Sequence, residues 1–193
     1  MCYNVAMIVL DDLSQHVHPK QPSALTIGSF DGVHKGHQYL LQKMRELVGH
    51  EGSVCIVTFS NHPSHVLGKD PPAELLFSKE QKLRWLSAYG VDVAYCVPFT
   101  KELAALTYQE FLEKMMQTCP FDFLVLGEDA HLGNRKQGTP ERVTAFCKER
   151  GIQTQYLKKL SSDHELVSSR RIRSLLASGK VSEAIKMIGH PLE

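Results

Sequence analysis

The chain has 193 residues, 42% of them hydrophobic, enough to bury one full core, so a single domain is expected. Twenty-two basic residues against 21 acidic ones leave a formal charge of +1, which excludes a general electrostatic drive toward nucleic acid or anionic membrane. The five cysteines are scattered and lack CxxC spacing, which excludes a disulfide framework and a zinc ribbon and fits a reducing cytoplasm.

Val5 to Leu10 is the only apolar stretch near the start, far shorter than a signal segment or membrane span, and Asp11 and Asp12 follow it. Ala24 to Gly28 then reads as a short buried strand ending at a polar turn. From Gly36 to Val48 the apolar positions Tyr39, Leu40, Leu41, Met44 and Leu47 recur at helical spacing, closed by Gly49. Val54 to Phe59 repeats the buried-strand signature, and Ser60 to Pro72, with three prolines and no period, reads as a long loop. Ser78 and Gln81 form a capping box for a helix through Tyr89, before a strand over Val91 to Val97 and two helical stretches ending at Thr118. Phe121 to Leu126 is the next strand, followed by an irregular loop marked by Gly133, Gly138 and Pro140. A helix over Glu141 to Arg150, a strand over Gln153 to Leu157, and helices over Arg170 to Ala177 and Val181 to Ile188 complete the reading.

Strands alternating with helices at this rhythm predict a parallel α/β sheet with helices on both faces. Such sheets bind ligands beyond the strand carboxyl ends, here the loops starting near Gly28, Ser60, Gly127 and Ser161. The first loop, Gly28-Ser29-Phe30-Asp31-Gly32-Val33-His34-Lys35-Gly36-His37, delivers two histidines to a helix start. Free backbone N–H groups and the positive end of the helix dipole attract phosphate there. Gly36 permits close approach, and imidazolium or neutral N–H groups can hold phosphate oxygens. The second element, Val167-Ser168-Ser169-Arg170-Arg171-Ile172-Arg173, also opens a helix and combines capping hydroxyls with guanidinium groups. Read alone it is equally a capped basic helix; for the histidine pair the bland alternative, two surface residues at a helix start, is outweighed by its place after a predicted strand and at the opening of a predicted helix.

His34-Lys35-Gly36-His37 resembles the first signature of the nucleotidylyltransferase superfamily, and Val167 to Arg173 resembles its second, Ile-Ser-Ser-Thr-x-x-Arg, with Arg170 where threonine is usual. Together with Thr58-Phe59-x-x-His62-Pro63 and the ending Ile188-Gly189-His190-Pro191, these segments resemble the bacterial FAD synthetases. The resemblance implies a Rossmann-like nucleotidylyltransferase fold and an FMN adenylyltransferase with ATP and FMN as substrates and Mg²⁺ accompanying ATP. Carried over residue by residue, it assigns His34, His37 and Arg173 to catalysis. Gly28, Phe30, Asp31, Gly36, Ser168, Ser169 and Arg171 are assigned to ATP, and Asn61, His62, Pro63 and Asp129 to FMN. Arg170 and Arg173 share a helical face and Arg171 does not; Arg170 is expected to face solvent, because Ser168 and Ser169 already occupy the helix start.

Two departures bear on the flavin. Asn61 stands where the family has proline, and Ala130 and Leu132 stand at two aromatic positions, reducing the expected stacking surface. In that family a riboflavin kinase domain follows, whereas this sequence stops at Glu193; one adenylyltransferase domain over 1–193 is therefore expected, with FMN arriving ready-made. His62, His65 and Asp70 lack the spacing of a zinc site, and no metal-ligating residues are assigned. The partners expected are small molecules, with neither nucleic acid nor membrane; the sequence leaves the oligomeric state open. Two rivals stay open. One is transfer to another phosphorylated acceptor such as phosphopantetheine, nicotinamide mononucleotide or a polyol phosphate, and the other is a non-catalytic flavin or nucleotide sensor.

Overall fold

A computed structural model describes residues 7–68, 72–162 and 165–192; Cys2, Val5 and Asp70 fall outside these. Six parallel strands form one sheet in the order β1-β4-β3-β2-β5-β6. They are β1 (Ile8–Leu10), β2 (Ser23–Ile27), β3 (Ser53–Phe59), β4 (Val93–Val97), β5 (Phe123–Gly127) and β6 (Gln153–Leu157). Strand order reverses between β2 and β5, because the chain builds outward from β2 through β3 and β4 on one side and through β5 and β6 on the other.

The central strand β3 is buried along its whole length, as a strand covered on both faces must be. Its alternate side chains divide between two cores. Cys55, Val57 and Phe59 face α4 (Tyr108–Thr118) and α5 (Pro140–Lys148), while Val54 and Ile56 face α1 (Lys35–Val48) and α2 (Lys79–Ala88). A third, smaller core joins α6 (Ser169–Ala177) and α7 (Val181–Ile188) to Phe77 and Trp85, beside the second layer. The remaining regular elements are α3 (Lys101–Ala105) and the short antiparallel pair β7 (Ser161–Ser162) and β8 (Glu165–Leu166).

The expected strands and helices are present to within two or three residues at their ends, and the capping box at Ser78 and Gln81 is formed in both directions. One edge strand goes beyond the sequence reading: Ile8–Leu10 pairs with β4 despite two exposed side chains, so burial periodicity gives no sign of it. The segment expected as a long loop after β3 contains a 3₁₀ turn at Pro63–His65, capped by the His62 side chain. No helix among the described residues is long and apolar enough to cross a membrane.

Candidate active site

The loop from β2 to α1 passes beneath the site in a strained conformation. Phe30, Gly32 and Val33 have φ of 48°, 79° and 37°, and for Phe30 and the β-branched Val33 such values cost on the order of 1–3 kcal/mol each. Both side chains are buried, which holds them there. The neighbouring backbone is tied down from below: Gly28 N–H donates to Val57 O at 3.0 Å, and the Thr58 hydroxyl donates to Ser29 O at 3.0 Å. Lys82, on the buried face of α2, donates to Ser29 O at 3.2 Å and Phe59 O at 2.5 Å. The residue is 2% exposed, and burial lowers its pKa.

His34 ends this loop as the N-cap of α1, its Nδ1 accepting from His37 N–H at 3.4 Å. The two imidazoles stack with centroids 3.7 Å apart, and Phe30 packs against His37 at 4.8 Å. Burial lowers the His34 pKa to about 4. His37 is held well below the ordinary histidine value, by burial first and then by the charges of His34 and Lys82. Of the two states anticipated for the pair, the structure therefore favours neutral imidazole at neutral pH. His37 Nδ1 is buried with no hydrogen-bond partner among the described residues. Gly36 lies against the His34 ring, where an added Cβ would sit 3.2 Å from ring atoms.

The second element opens α6 facing the histidines. Ser168 is its N-cap and accepts from Arg171 N–H at 3.2 Å, while the Ser169 hydroxyl donates to Asp31 O at 2.8 Å. The Asp31 carboxylate is 1% exposed and fully engaged, accepting from Leu76 N–H at 2.8 Å and from Arg173 at 2.5 Å. It does not line the cavity where its assignment to ATP would place it; it anchors Arg173, which does. Arg170 is exposed at the cavity mouth, and Arg171 lies off the lining altogether.

These elements enclose a polar cavity of about 420 Å³ over the β2–β5 switch point, lined by Gly28, Phe30, His34, Gly36, His37 and Asp129, by His62, and by Ser168, Ser169, Arg170 and Arg173. Lys158 and Lys159 close its far side, with Lys159 paired to Asp129 at 2.7 Å. A second, apolar cavity of about 660 Å³ adjoins it and shares Ile27, Gly28 and Ala130. Ala130 and Leu132 are indeed aliphatic there, yet Phe59, Phe99 and Phe111 supply aromatic surface from other elements, the first two meeting edge to face at 5.0 Å. Pro63 lines this cavity. Asn61 lines neither; its amide brackets Phe99, donating to Phe99 O at 3.0 Å and accepting from Phe99 N–H at 2.7 Å.

Sequence reasoning missed Phe99, Lys82 and Lys159. Phe99 follows the carboxyl end of β4, so the rule that selected the other strand ends applies to it equally. Lys82 stands four residues before the buried Leu86 on one helical face, a polar residue at an apolar position. Lys159 is two residues beyond β6, with Lys158 before it.

The FAD synthetase family model matches residues 16–171. A bifunctional riboflavin kinase/FMN adenylyltransferase of Escherichia coli K12 is 31% identical over 179 residues, which span 90% of this chain and 56% of that protein. A FAD synthetase of Listeria monocytogenes is 29% identical over 170 residues, covering 88% of this chain and 69% of its own length. A crystal structure described as a macrolide-efflux protein from Streptococcus pneumoniae superposes with a TM-score of 0.84 at 25% identity, over 97% of this chain and 63% of that one. The chain thus spans little more than half the length of the bifunctional relatives it matches.

Proposed function

The chain belongs to the FAD synthetase family, and from that premise we propose that it transfers the adenylyl group of ATP to FMN, giving FAD and pyrophosphate. The observation that carries the reading is the adjacency of the two cavities at the switch point. One offers neutral imidazoles, a helix N-terminus and arginines to a triphosphate; the other offers aromatic walls to an isoalloxazine. Their shared wall at Ile27, Gly28 and Ala130 is where the acceptor phosphate meets the α-phosphorus.

The FMN phosphate is anionic at neutral pH, so no base is required. One of its oxygens bonds to the α-phosphorus in line, the α–β bridging bond breaks, and its electron pair leaves on pyrophosphate. His34 and His37 donate neutral N–H groups to the non-bridging oxygens, where charge develops. Arg173, fixed by Asp31, holds the triphosphate end with Ser168, Ser169 and the first turn of α6, while Gly28 and Gly36 allow close approach. Pro63 borders the flavin, His62 and Asp129 stand on the phosphate side of the shared wall, and Asn61 acts through Phe99.

Mg²⁺ carried on the phosphates would supply charge neutralisation for the leaving pyrophosphate, and Arg173, Ser168 and Ser169 would hold the triphosphate that carries it. The Asp31 and Asp129 carboxylates are engaged by Arg173 and Lys159. We place the protein in the cytoplasm, with its small-molecule substrates as its partners. Incubation with ATP, Mg²⁺ and each candidate acceptor, with products identified by mass, is the test. FAD from FMN is expected, whereas a product only from another acceptor, or no turnover at all, overturns the proposal.

A further inference from the structure

The loop Phe30–Val33 stores strain, and strain persists only where surrounding contacts over-determine it. Two of those contacts lead to the turn after α7. His190, 6% exposed, places Nε2 3.2 Å from Gly32 O, and Gln38 donates through Nε2 to Val33 O at 2.8 Å and to Ile188 O at 2.7 Å. His190 Nδ1 lies 3.0 Å from Pro191 O; of the two carbonyls Gly32 O is the buried one, which loses more if left unpaired. The His190 ring is itself held, stacked on Trp85 at 3.9 Å with Phe77 at 5.4 Å. Gly189, at φ 85°, brings the turn so close to α1 that an added Cβ would meet Lys35 Cγ at 2.9 Å.

We propose that His190 and Gln38 are positioning residues for adenylyl transfer: they fix the carbonyls of Gly32 and Val33, so that the α7 turn holds the strained loop and, through it, His34 and His37 in phosphate-accepting geometry. The carbonyls at stake immediately precede His34, and misplacing the histidines by about 1 Å is enough to slow transfer on the order of a hundredfold. The proposal rests on the adenylyl-transfer reading.

The test compares three variants with the full wild-type chain. His190→Phe keeps a ring on Trp85 and removes the donor; His190→Gln restores a donor near the Nε2 position; Gln38→Met keeps volume and removes both bonds. Expected for His190→Phe and Gln38→Met are a roughly tenfold to hundredfold lower kcat with an unchanged KM for FMN, and about tenfold weaker Mg·ATP binding by calorimetry. His190→Gln is expected to recover most of the loss. Should His190→Phe fail to fold, Gln38→Met, which leaves the stack on Trp85 intact, carries the comparison. Wild-type kcat and ATP affinity in Gln38→Met, or in a folded His190→Phe, overturn the proposal, as does a His190→Gln variant no better than His190→Phe. If wild type makes no FAD, the adenylyl-transfer reading fails, and ATP affinity in the same variants still decides whether the turn holds the loop.

Discussion

Acidification reads out the buried imidazole at the N-cap of α1. His34 has its pKa lowered from 6.5 to about 4 by burial, so an unfolded chain takes up a proton below pH 6.5 that the folded chain refuses until about pH 4. Within that window the unfolded state binds more protons, and stability rises with pH; the full stability is present above pH 6.5 and is lost as pH falls. At roughly 1.4 kcal/mol per pH unit, the loss from this residue is about 2 kcal/mol at pH 5 and approaches about 3 kcal/mol near pH 4. His34→Asn retains an acceptor suited to capping His37 N–H and removes the titration. Urea unfolding followed by circular dichroism at pH 7.5 and pH 5 is therefore expected to show wild type losing about 2 kcal/mol more than the variant. His37 is present in both chains and is lowered first by burial, which the variant keeps, so most of its contribution cancels in the difference. Equal losses would refute the assignment of a buried, neutral His34.

Replacing His37 with alanine should leave the fold intact by circular dichroism and lower adenylyl transfer about a hundredfold, the scale for one transition-state donor; unchanged turnover in the folded variant removes the histidine pair from the mechanism. Phe99→Ala should weaken FMN binding about tenfold or more, measured by flavin fluorescence, with the KM for ATP unaltered. An unaltered flavin affinity would mean that the apolar cavity does not hold the ring system. Arg170 is exposed and makes no hydrogen bond or ion pair with any described residue, so Arg170→Thr should weaken ATP binding only about threefold at low ionic strength and not at all near 1 M salt. A tenfold loss that survives high salt would make Arg170 a direct phosphate ligand.

The sheet was legible because its strands are continuous apolar runs and its helices carry clear periodicity; β3 and α1 need nothing beyond those patterns. The edge strand Ile8–Leu10 was not, since two of its three side chains are exposed and its pairing with β4 is a tertiary fact. At the site, His34, Gly36 and His37, spaced at a strand-to-helix turn, line one polar cavity together. Asp31 misled for a physical reason: a carboxylate inside a phosphate-binding motif reads as a ligand contact, yet its partner Arg173 is 142 residues away in sequence. Asn61 misled likewise, because its amide serves the backbone of Phe99, across the gap between two strand ends. Contacts of that separation leave no local pattern.

The arrangement of charge gives a reason why neutral histidines would suit the proposed transfer. Imidazolium ions stacked 3.7 Å apart would repel each other and would bind the triphosphate as strongly before transfer as during it, which lowers KM without raising kcat. Attraction from a distance would fall instead to the exposed cations at the rim, Arg170 and Lys158, which pay no burial cost. Arg173 is held in place by a carboxylate that cancels much of its field at long range and leaves its donors oriented at short range. In the proposed transfer, phosphates would displace water from the cavity, and the neutral N–H groups of His34 and His37 would then act in a medium of low dielectric, where their hydrogen bonds would gain most as charge builds on the reacting oxygens. The strained loop beneath them fits that proposal: donors that gain strength only in the transition state would have to stand already where that charge appears, and the geometry of Phe30, Gly32 and Val33 sets where His34 and His37 stand.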